Sequence, residues 1–298
     1  MIMNFTMTSL ISAAAYLILG PFVGGLLAGI DRKISAKMQG RYGPPILQPF
    51  YDVRKLLEKE QITVAGSQDF FVMCMLIFMV ITGVLFFSGG NLLMVIFTIA
   101  TASIFLVIAA FSSHSPYSQT GAERELLQMM AYEPMVLLTA VGLYMVNKSF
   151  NVSDIIKTDT ISVIYLAGIF IGYLFILTIK LRKSPFDLSY SHHAHQELVK
   201  GITTEISGRS LAAVEISHWY ENVFLLGFIF LFISNGTILM AVIGVVVCLL
   251  LYFVEILVDN SYARMKWQFA LKSSWIVTLV FGGVNLIVLY FFVAMKII

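Results

Sequence analysis

The chain alternates long apolar stretches with shorter polar ones along its whole length. Eight of these stretches approach the roughly 20 apolar residues that a membrane span requires. They cover about residues 8–30, 69–88, 92–112, 122–146, 162–180, 210–234, 237–258 and 273–296. Backbone polar groups inside lipid must be satisfied within the segment, so these stretches are expected to be helices. The pattern predicts an all-α integral membrane protein, one polytopic domain over residues 1–298 with about eight transmembrane helices.

Basic residues indicate the orientation of the spans. Sixteen of the 19 Lys and Arg residues lie in or beside four connections, at about 31–68, 113–121, 181–209 and 259–272. Lys and Arg collect on the cytoplasmic side, which predicts cytoplasmic loops at these four connections and both termini outside the cell membrane. The connections at 89–91 and 235–236 are short and are expected to be tight turns. Polar chemistry and docking are therefore expected on the cytoplasmic side.

Composition agrees with a membrane protein and narrows its chemistry. The chain is 59% hydrophobic and 12% charged, whereas soluble domains carry about 25% charged residues. A net charge of +2 gives no basis for nucleic acid binding. Cys74 and Cys248 lie far apart in apolar segments and match no metal-binding spacing, so they are expected to be small buried side chains.

The first long loop contains a second type of helix. Gly40, Gly43, Pro44 and Pro45 interrupt regular structure, and an amphipathic segment follows Pro49. Its apolar side chains share one helical face: Phe50, Val53, Leu56 and Leu57. Two interpretations are open, a helix lying at the membrane interface and a surface for a peripheral partner. Both can hold at once.

Ionisable side chains inside spans are candidates for function. Placing a charged side chain at the bilayer centre costs about 2.5–3.5 kcal/mol on insertion scales. Such residues lie within or at the edges of the predicted spans: Asp31, Glu133, Glu215, His218, Glu221, Glu255 and Asp259. Glu215, His218 and Glu221 are three residues apart, so they form a row on one helix face. The row can pass a proton, or it can hold helices together by hydrogen bonds.

The fourth predicted span carries two acids with different interpretations. Glu133 lies near the middle of the span, and Pro134 loosens the helix beside it. It is either part of an ion path or a buried hydrogen-bonded acid. Glu123 stands three residues after Thr120, the spacing of a capping box, at the expected start of the span. Capping and ion transfer both remain open for Glu123.

A polar block at residues 185–208 separates the fifth and sixth predicted spans. It contains His192, His193 and His195. Two adjacent histidines rarely point at one ion and no cysteine is near, so a zinc site is not favoured. Leu198, Ile202 and Ile206 recur every four residues and predict an interfacial helix at about 194–206. We interpret the block as a coupling and docking surface that also includes three acids: Asp187, Glu197 and Glu205.

Three segments carry a resemblance to a known family. KMQGRYGPPILQPFYDVRKLLEKE (37–60), GAERELLQMMAYEP (121–134) and SPFDLSYSHHAHQELVKGITTEISG (184–208) resemble the membrane subunit beside the quinone site of respiratory complex I. Those relatives carry acidic residues where this chain has Tyr190, Ser191, His192 and His193. The stretch HHAHQELVKG is more similar to the corresponding membrane subunit of energy-converting, membrane-bound [NiFe]-hydrogenases of the Ech type.

The resemblance implies a function that residue patterns alone do not. It implies an ion-translocating connector subunit, without a redox centre of its own, in an oxidoreductase complex that reduces protons with electrons from ferredoxin. The [NiFe] and [4Fe-4S] centres are then expected in partner chains: hydrogenase large and small subunits and a ferredoxin-like subunit on the cytoplasmic side. Antiporter-like subunits are expected in the membrane. The alternative is the quinone-site subunit of complex I.

The resemblance also implies roles for individual residues. Glu133 corresponds to the family's membrane glutamate. The expected ion path comprises Asp31, Glu133, Glu215, His218, Glu221 and Glu255. The expected coupling loops contain Arg41, Asp52, Glu123, Asp187, His192, His193, His195, Glu197 and Glu205. No lysine falls at the centre of a predicted span, which argues against the antiporter module itself. A stand-alone secondary transporter is also not favoured, because no inverted repeat is visible.

Overall fold

The computed structural model describes residues 7–62, 65–189 and 200–295, and these are helical apart from turns and connections. The helices are α1 (Met7–Met38), α2 (Gln48–Glu58), α3 (Gly66–Phe87), α4 (Leu92–Phe111), α5 (Pro116–Asn147), α6 (Val152–Lys157), α7 (Ser162–Tyr165), α8 (Ala167–Lys180), α9 (Gly208–Ile233), α10 (Ile238–Ser261), α11 (Trp267–Val277) and α12 (Val284–Ala294). A π-helical segment, Thr278–Gly283, joins α11 to α12. The prediction of an all-α membrane protein is confirmed.

Seven helical stretches in the described residues are long and apolar enough to span a membrane. The expected span at 162–180 is instead divided, because the chain leaves the helix at Leu166 between α7 and α8. The amide of Asn285 on α12 donates to the carbonyl of Tyr165 at this break (3.3 Å). A neighbouring helix therefore satisfies one backbone group that the interruption leaves open, as the bilayer interior requires.

Helix α9 lies at the centre of the bundle and packs against α1, α2, α3 and α10. Its approach to α1 is close: a Cβ at Gly24 would lie 2.6 Å from the carbonyl carbon of Trp219. Only glycine fits there. The contact fixes the depth of the second half of α1, which carries Asp31, against α9, which carries Glu215, His218 and Glu221.

The connections fall into two groups at the two ends of the bundle. The cavity end contains the connections after α1, α4, α8 and α10, together with α2. The opposite end contains the short connections between α3 and α4 and between α9 and α10, and the α5–α8 connection with α6 and α7. The predicted tight turns at 89–91 and 235–236 are confirmed, with glycines of positive φ at Gly89 and Gly236.

The amphipathic helix predicted after Pro49 is confirmed as α2. Val53 is buried against Ala212 and Trp219 of α9, and Phe50 packs beside them. Leu57 departs from the expectation, because its side chain is exposed. Helix α2 therefore lies against the bundle along part of its predicted apolar face.

Candidate functional site

A polar cavity of about 460 Å³ opens at the cavity end, between α1, the α1–α2 connection, the α8–α9 connection, α9 and α10. Five basic side chains line it: Arg32, Arg41, Lys180, Arg182 and Lys183. Five acids and a histidine also line it: Asp31, Asp187, Glu215, Glu221, Asp259 and His218. Basic and acidic side chains on the cavity wall are therefore equal in number. Such walls suit water and protons better than an apolar ligand, whose pockets are lined mostly by hydrophobic side chains.

Three cations at the end of α8 bind acids from four other helices. We call Lys180, Leu181, Arg182 and Lys183 the KLRK segment. Lys180 pairs with Glu221 of α9 (3.4 Å), and Arg182 pairs with Glu125 of α5 (3.3 Å). Lys183 pairs with Asp31 of α1 and, at 3.3 Å, with Asp259 of α10. Successive residues of one turn therefore contact four helices of the bundle.

The two cations that follow α8 are held in their charged form. Burial opposes the charge on Lys183, but the carboxylates of Asp31 and Asp259 outweigh burial and raise its pKa. Burial likewise opposes the charge on Arg182, and the carboxylates of Glu125 and Glu221 outweigh it and raise the pKa of Arg182. The KLRK segment consequently supplies fixed positive charge on the wall of the cavity.

The structure places Glu215, His218 and Glu221 on the cavity wall together. Glu221 is buried and holds Lys180, while Nε2 of His218 contacts Nη1 of Arg182. A guanidinium can only donate, so this imidazole nitrogen is the acceptor. Two cations of the KLRK segment, Lys180 and Arg182, therefore stand beside two members of the row. The role of the row in proton transfer stays a prediction.

Lys180 links the cavity to α5. Its Nζ lies 4.3 Å from the ring centroid of Tyr132, a cation–π contact. Glu133 follows Tyr132 on α5 and is only half-buried. Its carboxyl group forms no hydrogen bond or ion pair with any residue that the structure describes. The sequence left open whether Glu133 is a hydrogen-bonded buried acid, and within the described chain it is not.

Asp31 and Glu255, both expected in the ion path, both interact with the charge of Lys183. Asp31 accepts from Lys183 and, at 3.2 Å, from the hydroxyl of Ser35. Glu255 is buried in α10, one helical turn before Asp259. One carboxyl oxygen of Glu255 has no hydrogen-bond partner among the described residues. A buried polar atom of this kind is a candidate for a bound water.

The expected coupling residues take several different positions. Arg41 is exposed and lines the mouth of the cavity, and Asp52 pairs with Arg32 (2.7 Å). Asp187 is buried and pairs with Arg264 (3.4 Å), whereas Glu205 is half-buried. His192, His193, His195 and Glu197 lie outside the described residues. In the described part of the chain, no group of three or more metal-ligating side chains could hold an ion.

Two local expectations are wrong. The capping box at Thr120 and Glu123 does not form, because α5 begins earlier, at Pro116, with Ser115 before it. Thr120 instead donates to the carbonyl of Pro116 inside the helix (2.9 Å), and Glu123 is exposed. The second error concerns the helix expected at 194–206: its described part, 200–206, contains turns and no helix, and Gly201 has a positive φ of 63°. Ile202 and Ile206 are nevertheless buried, as their spacing suggested.

Sequence reasoning missed several residues of the cluster. The sequence pattern uses four of its basic residues only to indicate the orientation of the spans: Lys180, Arg182, Lys183 and Arg264. It gives no role to Glu125. The available signal was a run of three cations directly after an apolar span, next to a proline. Their partners could not be read from it, because Lys183 and Asp31 are 152 residues apart.

Known proteins resemble the chain in sequence and fold. Hydrogenase-4 component C of Escherichia coli is 27% identical over 84% of this chain and 87% of its own length. Formate hydrogenlyase subunit 4 of the same organism is 29% identical, over 85% and 90%. An NADH-quinone oxidoreductase subunit of Bacillus cytotoxicus is 31% identical, over 71% and 68%. The resemblance indicated by the motifs is confirmed.

A solved structure shows the same fold. It is described as the membrane-bound sulfane sulfur reductase, an archaeal respiratory membrane complex, and one of its chains aligns with a TM-score of 0.84 at 24% identity. The alignment covers 94% of this chain and 99% of that one. The NADH dehydrogenase family profile matches residues 11–290, nearly the whole sequence. The chain, a multi-pass membrane protein with a charged cavity at one end of its bundle, therefore belongs to the NADH dehydrogenase family.

Proposed function

We propose that the chain is the ion-translocating connector subunit of a membrane-bound, energy-converting hydrogenase. It couples proton reduction in a peripheral redox arm to movement of H⁺ or Na⁺ across the membrane. The observation that carries the proposal is the charged cavity, whose buried ion pairs continue through Lys180 and Glu221 to Tyr132, the residue before Glu133. The similarity to hydrogenase-4 component C and formate hydrogenlyase subunit 4 supports the same class of complex.

The proposed partners follow from this role. Hydrogenase large and small subunits and a ferredoxin-like subunit dock at the cavity end, taken as cytoplasmic from the distribution of basic residues. They hold the [NiFe] and [4Fe-4S] centres. Both termini then lie outside, at the opposite end. Arg41, at the mouth of the cavity, and the polar block at 185–208 supply the docking surface.

The proposed coupling is electrostatic. An electron reaching the redox arm changes the charge beside the cavity end, where Asp187 and Glu205 lie. Two charges 4 Å apart interact by about 4 kcal/mol at an effective dielectric constant of 20. One pKa unit corresponds to about 1.36 kcal/mol, so such a change can move a proton between neighbouring groups. The proton then passes along Glu215, His218 and Glu221 toward Glu133, beside the cations of the KLRK segment.

Replacement of Glu133 tests the ion path. Glu133→Gln keeps size and hydrogen bonding but removes titration, so ion pumping by the purified complex in vesicles should fall at least about tenfold, the range of a lost proton-transfer group. Hydrogenase activity measured with a viologen donor should persist, since that reaction bypasses coupling. Glu58→Gln, an exposed acid on α2, is the matched control. Unchanged pumping in Glu133→Gln would remove Glu133 from the path.

The quinone-site subunit of a complex I is the second candidate. The 31% identity to the NADH-quinone oxidoreductase subunit of Bacillus cytotoxicus favours it. The ten charged side chains around the cavity oppose it, because a quinone ring needs apolar walls. Purification with the native partners separates the two candidates: nickel and H₂ production identify a hydrogenase, whereas quinone-dependent NADH oxidation identifies a complex I. A chain that purifies alone would instead support a stand-alone transporter.

A further inference from the structure

One face of α5 points away from the bundle. Leu126, Met130, Leu137, Val141 and Tyr144 are its exposed side chains between 126 and 144. Four and seven residues, or one and two helical turns, separate the first four of them, and Tyr144 follows Val141 by three, which places all five in a single line along the helix. Glu133 falls in the same line, between Met130 and Leu137. We call these six residues the α5 stripe.

Glu133 stands near the middle of the α5 stripe, and the span predicted at 122–146 places it near the middle of the membrane. Helix α5 has 32 residues, or about 48 Å at 1.5 Å per residue. Glu133 follows Pro116 by 17 residues, about 26 Å along the axis. A carboxyl group at this depth has no water beside it unless protein encloses a path. Among the described residues no side chain lies within hydrogen-bond or ion-pair distance of it, and Lys180, which pairs with Glu221, acts on it only electrostatically from farther away.

Other acids of the bundle are placed differently. Glu125, Glu221 and Glu255 are buried inside the chain. The outward face of α10 shows what a lipid-facing surface of this protein looks like: its exposed side chains include Val242, Val246, Leu249 and Phe253, all apolar. A face made only of apolar side chains needs no hydrogen-bond partner and can therefore lie against lipid. Lipid tails offer the Glu133 carboxyl group no partner, so they do not complement the α5 stripe.

We infer that the α5 stripe is the docking surface for a transmembrane helix of another subunit, which presents a lysine at the depth of Glu133. Charge complementarity selects the lysine, because a buried carboxylate is stabilised by a cation that brings its own hydrogen-bond donors. A lysine also carries its charge on a flexible four-carbon stem that packs along apolar neighbours such as Met130 and Leu137. The inference rests on the proposed function only in that the chain works within a multisubunit membrane complex.

Photo-cross-linking in the intact complex tests the surface directly. Benzoylphenylalanine replaces Leu137 in one variant and Met130 in a second, while Val246 on α10 serves as the lipid-facing control. Irradiation of native membranes should join the α5 positions to one membrane-spanning chain at least about tenfold more than the control, as expected for packed rather than lipid-facing helices. Mass spectrometry of the joined peptide should show an apolar helix with a lysine within about one turn of the cross-linked residue.

Each other result overturns the inference. Lipid adducts alone at Leu137 and Met130 would show that no helix covers the stripe. A cross-linked helix without a lysine would show that the occupant is of another kind. Because neither readout depends on ion pumping, a positive cross-link with normal pumping in Glu133→Gln would refute the ion path and keep the docking surface. Lipid adducts at Leu137 and Met130 together with lost pumping in Glu133→Gln would refute the docking surface and keep the ion path.

A bulky substitution provides a second measurement. Leu137→Trp should reduce recovery of the partner subunit with the purified complex several-fold, whereas Val246→Trp should leave it unchanged. Both variant chains should retain the helical circular dichroism of the unsubstituted chain, because each side chain points away from the bundle. Equal recovery in the two variants would count against docking at the stripe.

Discussion

The two ends of the bundle are held together by different interactions. At the opposite end the backbone closes the structure: the amide of Leu92 donates to Phe150 (2.8 Å) and that of Val152 to Gly90 (3.0 Å). The side chain of Asn91 caps α4 through the amide of Leu93 (2.9 Å). At the cavity end, charged side chains join helices, and a cavity remains among them. One end is therefore closed by backbone hydrogen bonds, and the other retains charged side chains and an open cavity, which is where the chemistry of the chain is expected.

Stability alone does not explain the charged end. Desolvation of a buried ion pair offsets much of its Coulomb energy, and apolar replacements of equal volume are often as stable or more so. Lys180 and Glu221 are both nearly fully buried, so their pairing costs desolvation that leucine and methionine would avoid. The cluster is therefore better explained by what its charges do than by what they stabilise.

The largest effect on stability is expected from removing Lys183, the cation that α1 and α10 share at the cavity end. Lys183→Met leaves Asp31 and Asp259 without their shared cation, so the free energy of unfolding should fall by about 3–5 kcal/mol. Denaturant titration of the purified protein in detergent micelles measures it. Lys157→Met, an exposed cation at the opposite end, should change the value by less than about 0.5 kcal/mol.

A compensating variant sharpens that result. If Asp31→Asn and Asp259→Asn together restore most of the stability lost in Lys183→Met, the cluster is not retained for stability. If the triple variant remains as unstable as Lys183→Met, then the charges hold the helices together after all.

Replacing a glycine by alanine at each end of the bundle should reduce stability by an intermediate amount. Gly89 and Gly40 both have positive φ, 83° and 69°. A Cβ at Gly89 would lie 2.8 Å from the Cβ of Ser153, whereas nothing lies within 4 Å of one at Gly40. Both alanine variants carry the strain of the left-handed conformation, about 1–2 kcal/mol. Gly89→Ala should lose more stability than Gly40→Ala in thermal unfolding, and equal losses would show that packing at the opposite end is loose.

The smallest effect concerns an acid at the opposite end. Hydrogen bonds from Ser149 (2.7 Å) and Asn151 (3.1 Å) lower the pKa of Asp154, with Lys157 also contributing. A lowered folded-state pKa stabilises the protein above the unfolded pKa, near 3.9, and this contribution disappears as pH falls through the folded value. The wild-type protein should therefore lose slightly more stability than Asp154→Asn between about pH 5 and pH 2, by under roughly 0.5 kcal/mol. Asp159→Asn, in the same connection, is the control for net charge.

Much of the fold could be predicted because the bilayer imposes simple rules. Length and hydropathy identify the spans, and the amphipathic pattern after Pro49 identifies α2. The interruption at Leu166 could not be read, because residues on both sides of it are equally apolar. The sequence predicts a loop at Ser115 and Pro116, whereas α5 begins at Pro116, because proline suits the first turn of a helix.

The candidate site was predictable only in part, for a physical reason. Acids inside apolar stretches stand out, so Glu133, Glu221 and Glu255 could be named from the sequence. Their partners belong to helices far away along the chain: Glu221 is 41 residues from Lys180, and Glu125 is 57 from Arg182. The pairing of such residues depends on tertiary packing, which hydropathy does not encode. The outward direction of Glu133 could not be predicted either, because apolar residues lie on every side of it along α5 and no single face stands out as the buried one.

The KLRK segment has a mechanical consequence. Its three cations are attached to one short stretch of backbone and pair with acids on α1, α5, α9 and α10. A displacement of that stretch would therefore change the distances between all three cations and their acids at once, on four helices of the bundle.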